Sequence, residues 1–172
     1  ELISAYCLEL VSKHFPGTQL PFAAPSPQYV LLESSDAWSA EHASQQFEKL
    51  MEEAFDAGLI TDAAIAASIA QSRAFWALRE NISEAQAREG QNIKHDISVP
   101  ISAIGDFVAR TNAEIEHRYP GIRMVVFGHL GDGNLHYNVS PAPGVAPDDF
   151  MALEHPINDI VYDAVARCNG SI

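Results

Sequence analysis

The segment Val125–Val139, which reads Val-Val-Phe-Gly-His-Leu-Gly-Asp-Gly-Asn-Leu-His-Tyr-Asn-Val, constrains the fold more than any other. Two short strand-forming runs flank Asp132-Gly133, a dipeptide suited to a type I′ hairpin turn because both central residues must reach φ > 0. Centring the turn there predicts a register: Gly131 opposite Asn134, Leu130 opposite Leu135, His129 opposite His136. Directly opposed side chains in an antiparallel pair stand about 4.5–5.5 Å apart at Cβ, so two imidazoles on one face could share a metal ion. Alternation along the strands adds Phe127 and Asn138 to the histidine face. It gives Met124, Val126, Leu130, Leu135, Tyr137 and Val139 the opposite, apolar face. The same spacing also suits two histidines that merely bond to backbone or water. Gly128, Gly131 and Gly133 carry no side-chain bulk, so a ligand or another backbone can come close.

The rest of the chain reads as one domain over 1–172, large enough for a core. Its 47% hydrophobic and 19% charged content is that of a soluble globular protein. No apolar run reaches the length of a membrane span. A formal net charge of −13 argues against nucleic acid as a partner, though a few local cations can still make a pocket for a small anion. Cys7 and Cys168 do not form a disulfide framework, which suits a reducing compartment, the cytoplasm or, in a eukaryote, the mitochondrial matrix.

Periodicity predicts a helix over Glu1–Phe15 ended by Pro16-Gly17, a connector at Pro21–Pro27, and a strand at Tyr29–Glu33. Ser39 is expected to cap a long helix with Phe47, Leu50, Met51 and Phe55 on its inner stripe, ended by Gly58. Ala63–Ala67 reads as a short strand or strand-like turn, and Ile69–Glu89 as one long helix stopped by Gly90. Ile93–Val99 reads as a strand, with Ile93, His95, Ile97 and Val99 on one side and Lys94, Asp96 and Ser98 on the other. A helix opening at Pro100 presents Ile101, Ile104, Phe107, Val108 and Ile115 inward. After the hairpin and a loop at Pro141–Pro147, a last helix runs from Asp148 or Asp149 to about Cys168. This order implies an α+β fold, an antiparallel or mixed sheet with helices packed mainly on one face.

Outside the hairpin, Arg79 and Ser83 stand four apart on a predicted helix and so share a face. Arg79 offers a planar fork that matches a carboxylate, or else pairs with Glu80 or Glu84 on a solvated surface. Lys94 could meet an anion, or serve as an ordinary edge lysine. His95 points inward and reads as structural. Asp132 reads as a turn residue, and His14, His42, His117 and His155 carry no partner pattern.

Three blocks resemble one known family. They are Trp76-Ala77-Leu78-Arg79-Glu80-Asn81-Ile82-Ser83, Lys94-His95-Asp96-Ile97-Ser98-Val99-Pro100, and Gly128-His129-Leu130-Gly131-Asp132-Gly133-Asn134-Leu135-His136-Tyr137-Asn138. In order and spacing they are similar to the C-terminal domain of FAD-linked oxidases, the group of D-lactate, glycolate and D-2-hydroxyglutarate dehydrogenases related to vanillyl-alcohol oxidase. The resemblance covers about 60–172 well and the first part loosely.

That resemblance implies a ferredoxin-like sandwich excised from a larger flavoenzyme, with FAD held mainly by a separate domain of the same polypeptide. It implies a small anionic 2-hydroxy acid as substrate, with Arg79, Ser83, Lys94 and Asn138 as its contacts. It implies a divalent metal, zinc, on His129 and His136. The third ligand, a glutamate, and the catalytic base are expected beyond Ile172. Alone, the chain is expected to bind flavin poorly and to be inactive, because its Gly-rich run lies in a hairpin and not at a helix start. The electron acceptor is left open; a homodimer is one further expectation. Two other functions fit the residues without the resemblance: a non-catalytic ferredoxin-like metal or small-acid sensor, and a purely structural interaction domain.

Overall fold

The computed structural model describes residues 1–172. A strand β1 (Leu2–Ser4) leads into helix α1 (Ala5–His14), followed by β2 (Gln28–Val30), α2 (Ala40–Asp56), α3 (Ile69–Glu80), α4 (Ile82–Glu89) and β3 (Asp96–Ser98). A 3₁₀ turn at Ile101–Ala103 opens α5 (Ile104–Arg118), and the chain continues through β4 (Arg123–His129), β5 (Asn134–Ser140), α6 (Pro147–Met151) and α7 (Glu154–Arg167). The strands form one open antiparallel sheet in the order β2-β1-β4-β5-β3. This α+β arrangement is the expected one. No helix is long and apolar enough to cross a membrane.

Both faces of the central hairpin are buried. Val126, Leu135, Tyr137 and Val139 join the larger core, with Ile104, Phe107, Val108 and Ile115 of α5 and Ile157, Ile160 and Val161 of α7. Val125 and Phe127, on the histidine side, join a second, smaller core with Cys7, Leu8 and Val11 of α1, Leu78 of α3, and Ile82 and Ala85 of α4. Helices therefore sit on both faces, the larger core under the apolar face that the sequence singled out. An ionic cluster clamps the smaller layer. Glu89 at the end of α4 accepts from Lys13 (2.7 Å) and pairs with His14 (2.7 Å) on α1, and Arg123 of β4 approaches it at 3.3 Å. Burial pushes the Glu89 carboxyl up, but the bonds from Lys13 and His14 and the charges of Lys13 and Arg123 outweigh it and hold the group at about 2, below its ordinary 4.5.

Several sequence expectations give way to tertiary context. Leu2–Ser4 is a strand and not the start of a helix, because it covers the edge of β4, with Leu2 against Gly128 and Ile3 against Phe127. The predicted Ile69–Glu89 helix is two helices. Asn81, at φ −79° and ψ −6°, ends α3 and starts α4, so Arg79 and Ser83 lie on different helices. The predicted last helix is also two, and Pro156 explains it. A proline is tolerated in the first turn of α7 but would break a continuous helix from Asp148. Ala63–Ala67 forms no strand. Ser39 does cap α2, accepting from the backbone N–H of His42 at 3.0 Å, yet no residue of α2 is buried, and Leu50 and Phe55 of its stripe are exposed. Ile101 is exposed as well, whereas the other inward residues of that helix are buried.

The hairpin departs from its predicted register in an instructive way. His129 lies opposite Asn134, Gly128 opposite Leu135 and Phe127 opposite His136. The loop is the four residues Leu130–Gly133, closed by bonds from the N–H groups of Asp132 (3.3 Å) and Gly133 (3.1 Å) to the carbonyl of His129. Only Gly133 has positive φ, at 82°. Asp132 instead accepts from the backbone N–H of Asn134 at 3.0 Å, a side-chain turn that competes with the two-residue form. The shift is even, so every side chain keeps its predicted face. Backbone is what comes close at two of the three glycines. A Cβ on Gly128 would lie 2.3 Å from the Asn134 carbonyl oxygen, and one on Gly133 2.2 Å from that of Val99, while Gly131 is open.

Two outcomes are expected. The Glu89 carboxylate is held below its unfolded value, so its stabilisation is full above about pH 4.5 and is lost as pH falls toward 2. The loss of melting temperature between pH 5 and pH 2.5 should therefore be smaller in Glu89→Gln than in the wild type. Gly133→Ala should lower stability by at least the roughly 1–3 kcal/mol of a strained backbone, measured by denaturant unfolding, whereas Gly131→Ala should fall within about 1 kcal/mol of wild type.

Candidate functional site

The second face of the sheet, where the smaller core ends, gathers most of the candidate residues. His129 and His136 both project there, as diagonal rather than direct cross-strand neighbours. Diagonal pairs are commonly about 7–8 Å apart, wider than the predicted pairing. Arg79 reaches the same place from α3. Its Nε donates to Glu1 Oε2 at 2.6 Å, and its guanidinium carbon lies 4.8 Å from the centroid of the Phe127 ring. Phe127 in turn packs on the His136 ring, 4.8 Å between centroids. Arg79 pairs with neither Glu80 nor Glu84; its carboxylate partner comes from the far end of the chain.

Glu1 is the residue that sequence reasoning missed. Its other oxygen, Oε1, lies 2.7 Å from His129 Nδ1, so one carboxylate joins Arg79 to His129. Its side chain is only 12% exposed, and that of Arg79 13%. Burial raises the Glu1 carboxyl, but the bonds from Arg79 and His129 outweigh it and the group lies below the usual carboxylate range. No local signal marks this residue, because its partners lie at sequence positions 79 and 129 and meet it only through the β1–β4 pairing. Asp96, across from His136 on β3, is the other addition, with Oδ1 3.6 Å from His136 Nδ1. Burial lowers the His136 pKa, and Arg79 and His129 add to that, against Asp96. Burial thus favours the neutral form of the ring.

The remaining candidates separate. Lys94 is exposed; alternation from Asp96 puts it on the histidine face, beside the edge strand β3. Ser83 is exposed on α4, one element away from Arg79. Asn138 is buried and committed internally. Its Oδ1 accepts from the backbone N–H of His95 at 3.2 Å, and its Nδ2 donates to Gln86 Oε1 at 2.9 Å. His95 is structural, as expected: its ring bonds the Tyr137 carbonyl (2.7 Å) and Asn158 (2.8 Å) in the larger core.

The histidine pair fits a metal in part. Each Nδ1 faces a carboxylate, which is the usual outer partner of a metal-bound imidazole and leaves Nε2 for the ion. A catalytic zinc takes three protein ligands, however, and no three His, Cys, Asp or Glu side chains of this chain come together as a metal cluster.

The family model described as "FAD linked oxidases, C-terminal domain" matches residues 1–172. A D-2-hydroxyglutarate dehydrogenase of Xanthomonas citri pv. viticola is 39% identical over 174 residues, covering 100% of this chain and 35% of that protein. The mitochondrial D-2-hydroxyglutarate dehydrogenase of Rattus norvegicus is 35% identical over 172 residues, again covering 100% of this chain and 30% of the relative. That of Bos taurus is 37% identical over 173 residues, with 100% and 30% covered. The chain thus spans about a third of the length of the curated relatives it matches.

Proposed function

The chain belongs to the C-terminal domain family of FAD-linked oxidases, and on that premise we propose that it is the substrate-side domain of an FAD-dependent dehydrogenase that oxidises a D-2-hydroxy acid to the 2-oxo acid. The relatives named D-2-hydroxyglutarate dehydrogenase make D-2-hydroxyglutarate the first substrate to test. Flavin, held by the rest of the polypeptide, would supply the hydride acceptor; a divalent ion on His129 and His136, with a third ligand from elsewhere, would polarise the 2-hydroxyl.

The observation that carries the reading is the placement of Arg79. Its guanidinium lies against Phe127 and uses Nε on Glu1, while its terminal nitrogens make no hydrogen bond within the chain. Those two nitrogens form the fork that pairs with a carboxylate. A cation held this way orients the substrate acid without having to be ordered at the moment of binding. His129 and His136 stand on the same face, where the hydroxyl-bearing carbon would lie next to the carboxylate. Lys94 adds a second positive contact, and Ser83 a hydroxyl, at the rim. Asn138, with both ends of its amide occupied, acts in this proposal by holding the Lys94–His95 segment to β5.

In the intact protein, Arg79→Ala should lower kcat/KM by well over tenfold while flavin and metal content hold, since loss of a charge-assisted partner costs roughly 2–5 kcal/mol. His136→Ala should instead lose metal and lower kcat, because that contact acts on charge that develops during reaction. Steady-state kinetics with metal analysis checks both. Wild-type kinetics for Arg79→Ala on every D-2-hydroxy acid tried would remove the substrate role; unchanged metal content and rate in His136→Ala would remove the metal role.

A further inference from the structure

Glu1 is given no role of its own in the reading above, yet it touches both halves of it. One residue before β1, it falls opposite His129 when the β1–β4 register, Leu2 to Gly128 and Ile3 to Phe127, is extended by a step. Its two oxygens are divided between two donors, Oε2 to Arg79 Nε at 2.6 Å and Oε1 to His129 Nδ1 at 2.7 Å.

A carboxylate only accepts hydrogen bonds. Arg79 always donates, so Oε2 is satisfied whatever its neighbour does. Oε1 requires a proton on His129 Nδ1, and in a neutral imidazole that leaves the lone pair on Nε2. The same contact limits Arg79. A guanidinium can pair with a carboxylate side-on, through Nε and one terminal nitrogen, or end-on, through both terminal nitrogens. With Nε held by Glu1 and the ring of Phe127 against the guanidinium, only the end-on edge is open.

We propose that Glu1 is a positioning residue that fixes His129 as the Nδ1–H tautomer and restricts Arg79 to end-on pairing with a substrate carboxylate. Its effect on turnover rests on the functional reading given above; its effect on the His129 tautomer does not.

The test is the tautomer of His129 in the intact, metal-free protein, read by long-range ¹H–¹⁵N correlation of ¹⁵N-labelled histidine and assigned with His129→Gln. In the neutral ring, the wild type is expected to show a protonated Nδ1 and a bare Nε2. Glu1→Gln replaces one acceptor by an NH₂ donor. Arg79 demands the amide oxygen, so the NH₂ group faces His129 Nδ1, and the ring should invert to Nε2–H. Glu1→Asp keeps two acceptors and should retain Nδ1–H. With D-2-hydroxyglutarate, Glu1→Gln should lower kcat/KM by roughly 10- to 100-fold, the range of losses seen when a residue orienting a ligand is removed, and Glu1→Asp should recover part of it. A wild-type His129 in the Nε2–H form overturns the proposal. An unchanged Nδ1–H tautomer in folded Glu1→Gln overturns it too. Inversion of the tautomer with unaltered kinetics upholds the role of Glu1 toward His129 and counts against the assigned substrate site.

Discussion

Everything in this domain hangs on the pairing of β4 with β5. The two strands lie at the centre of the sheet, and both their faces are covered, one by α5 and α7, the other by α1, α3 and α4. A strand buried on both faces leaves little freedom in register, because a one-residue slip would exchange two packed surfaces at once. Val126, Leu135, Tyr137 and Val139 are excluded from water on one side, and Val125 and Phe127 on the other. Burial at this level supplies the dominant favourable contribution to folding. The loop that joins the strands is then free to take whatever form Asp132 and Gly133 prefer.

The smaller core explains where the polar site can exist. It covers the Val125–Phe127 part of the histidine face and stops there, so His129 is half open while Phe127 is buried. Arg79 lies at that boundary. Its guanidinium lies against the buried Phe127 ring and is matched by Glu1, the arrangement expected when a cation must stay nearly buried without remaining unpaired. The Glu89 cluster does the same work at the opposite end of the face, tying α1 and α4 to β4. A packed apolar middle with a charge cluster at each end suits the rigid support that the proposed substrate clamp and metal-ligand pair would require.

α2 stands apart from this scheme. Its cap, its length and its apolar stripe are those of a core-facing helix, yet Leu50 and Phe55 remain exposed along with Trp38, Leu59 and Ile69 nearby. Periodicity reports that a helix has an apolar side; it does not report which surface meets it.

Local pattern alone determined a good deal. The hairpin, the faces of its residues, the alternation of Ile93–Val99, the Ser39 cap and the inward position of His95 follow from two-residue and 3.6-residue periods, which neighbours in sequence establish by themselves. Three family blocks carried the expectation that Arg79, Lys94, His129 and His136 share one functional context. Two boundaries were also present in the residues, at Asn81 and Pro156, as weak helix formers inside strong patterns. Other features could only be decided by tertiary structure. Leu2–Ser4 fits a helix or a strand equally well until β4 offers an unpaired edge. The hairpin register is held by the packing on both strand faces, and the Asp132–Asn134 turn fits the loop that results. The contacts of Glu1 with Arg79 and His129 span 78 and 128 residues of sequence, and no periodicity extends across such a gap. They exist because the sheet brings the start of β1 beside the end of β4, and because a buried guanidinium needs a carboxylate within reach.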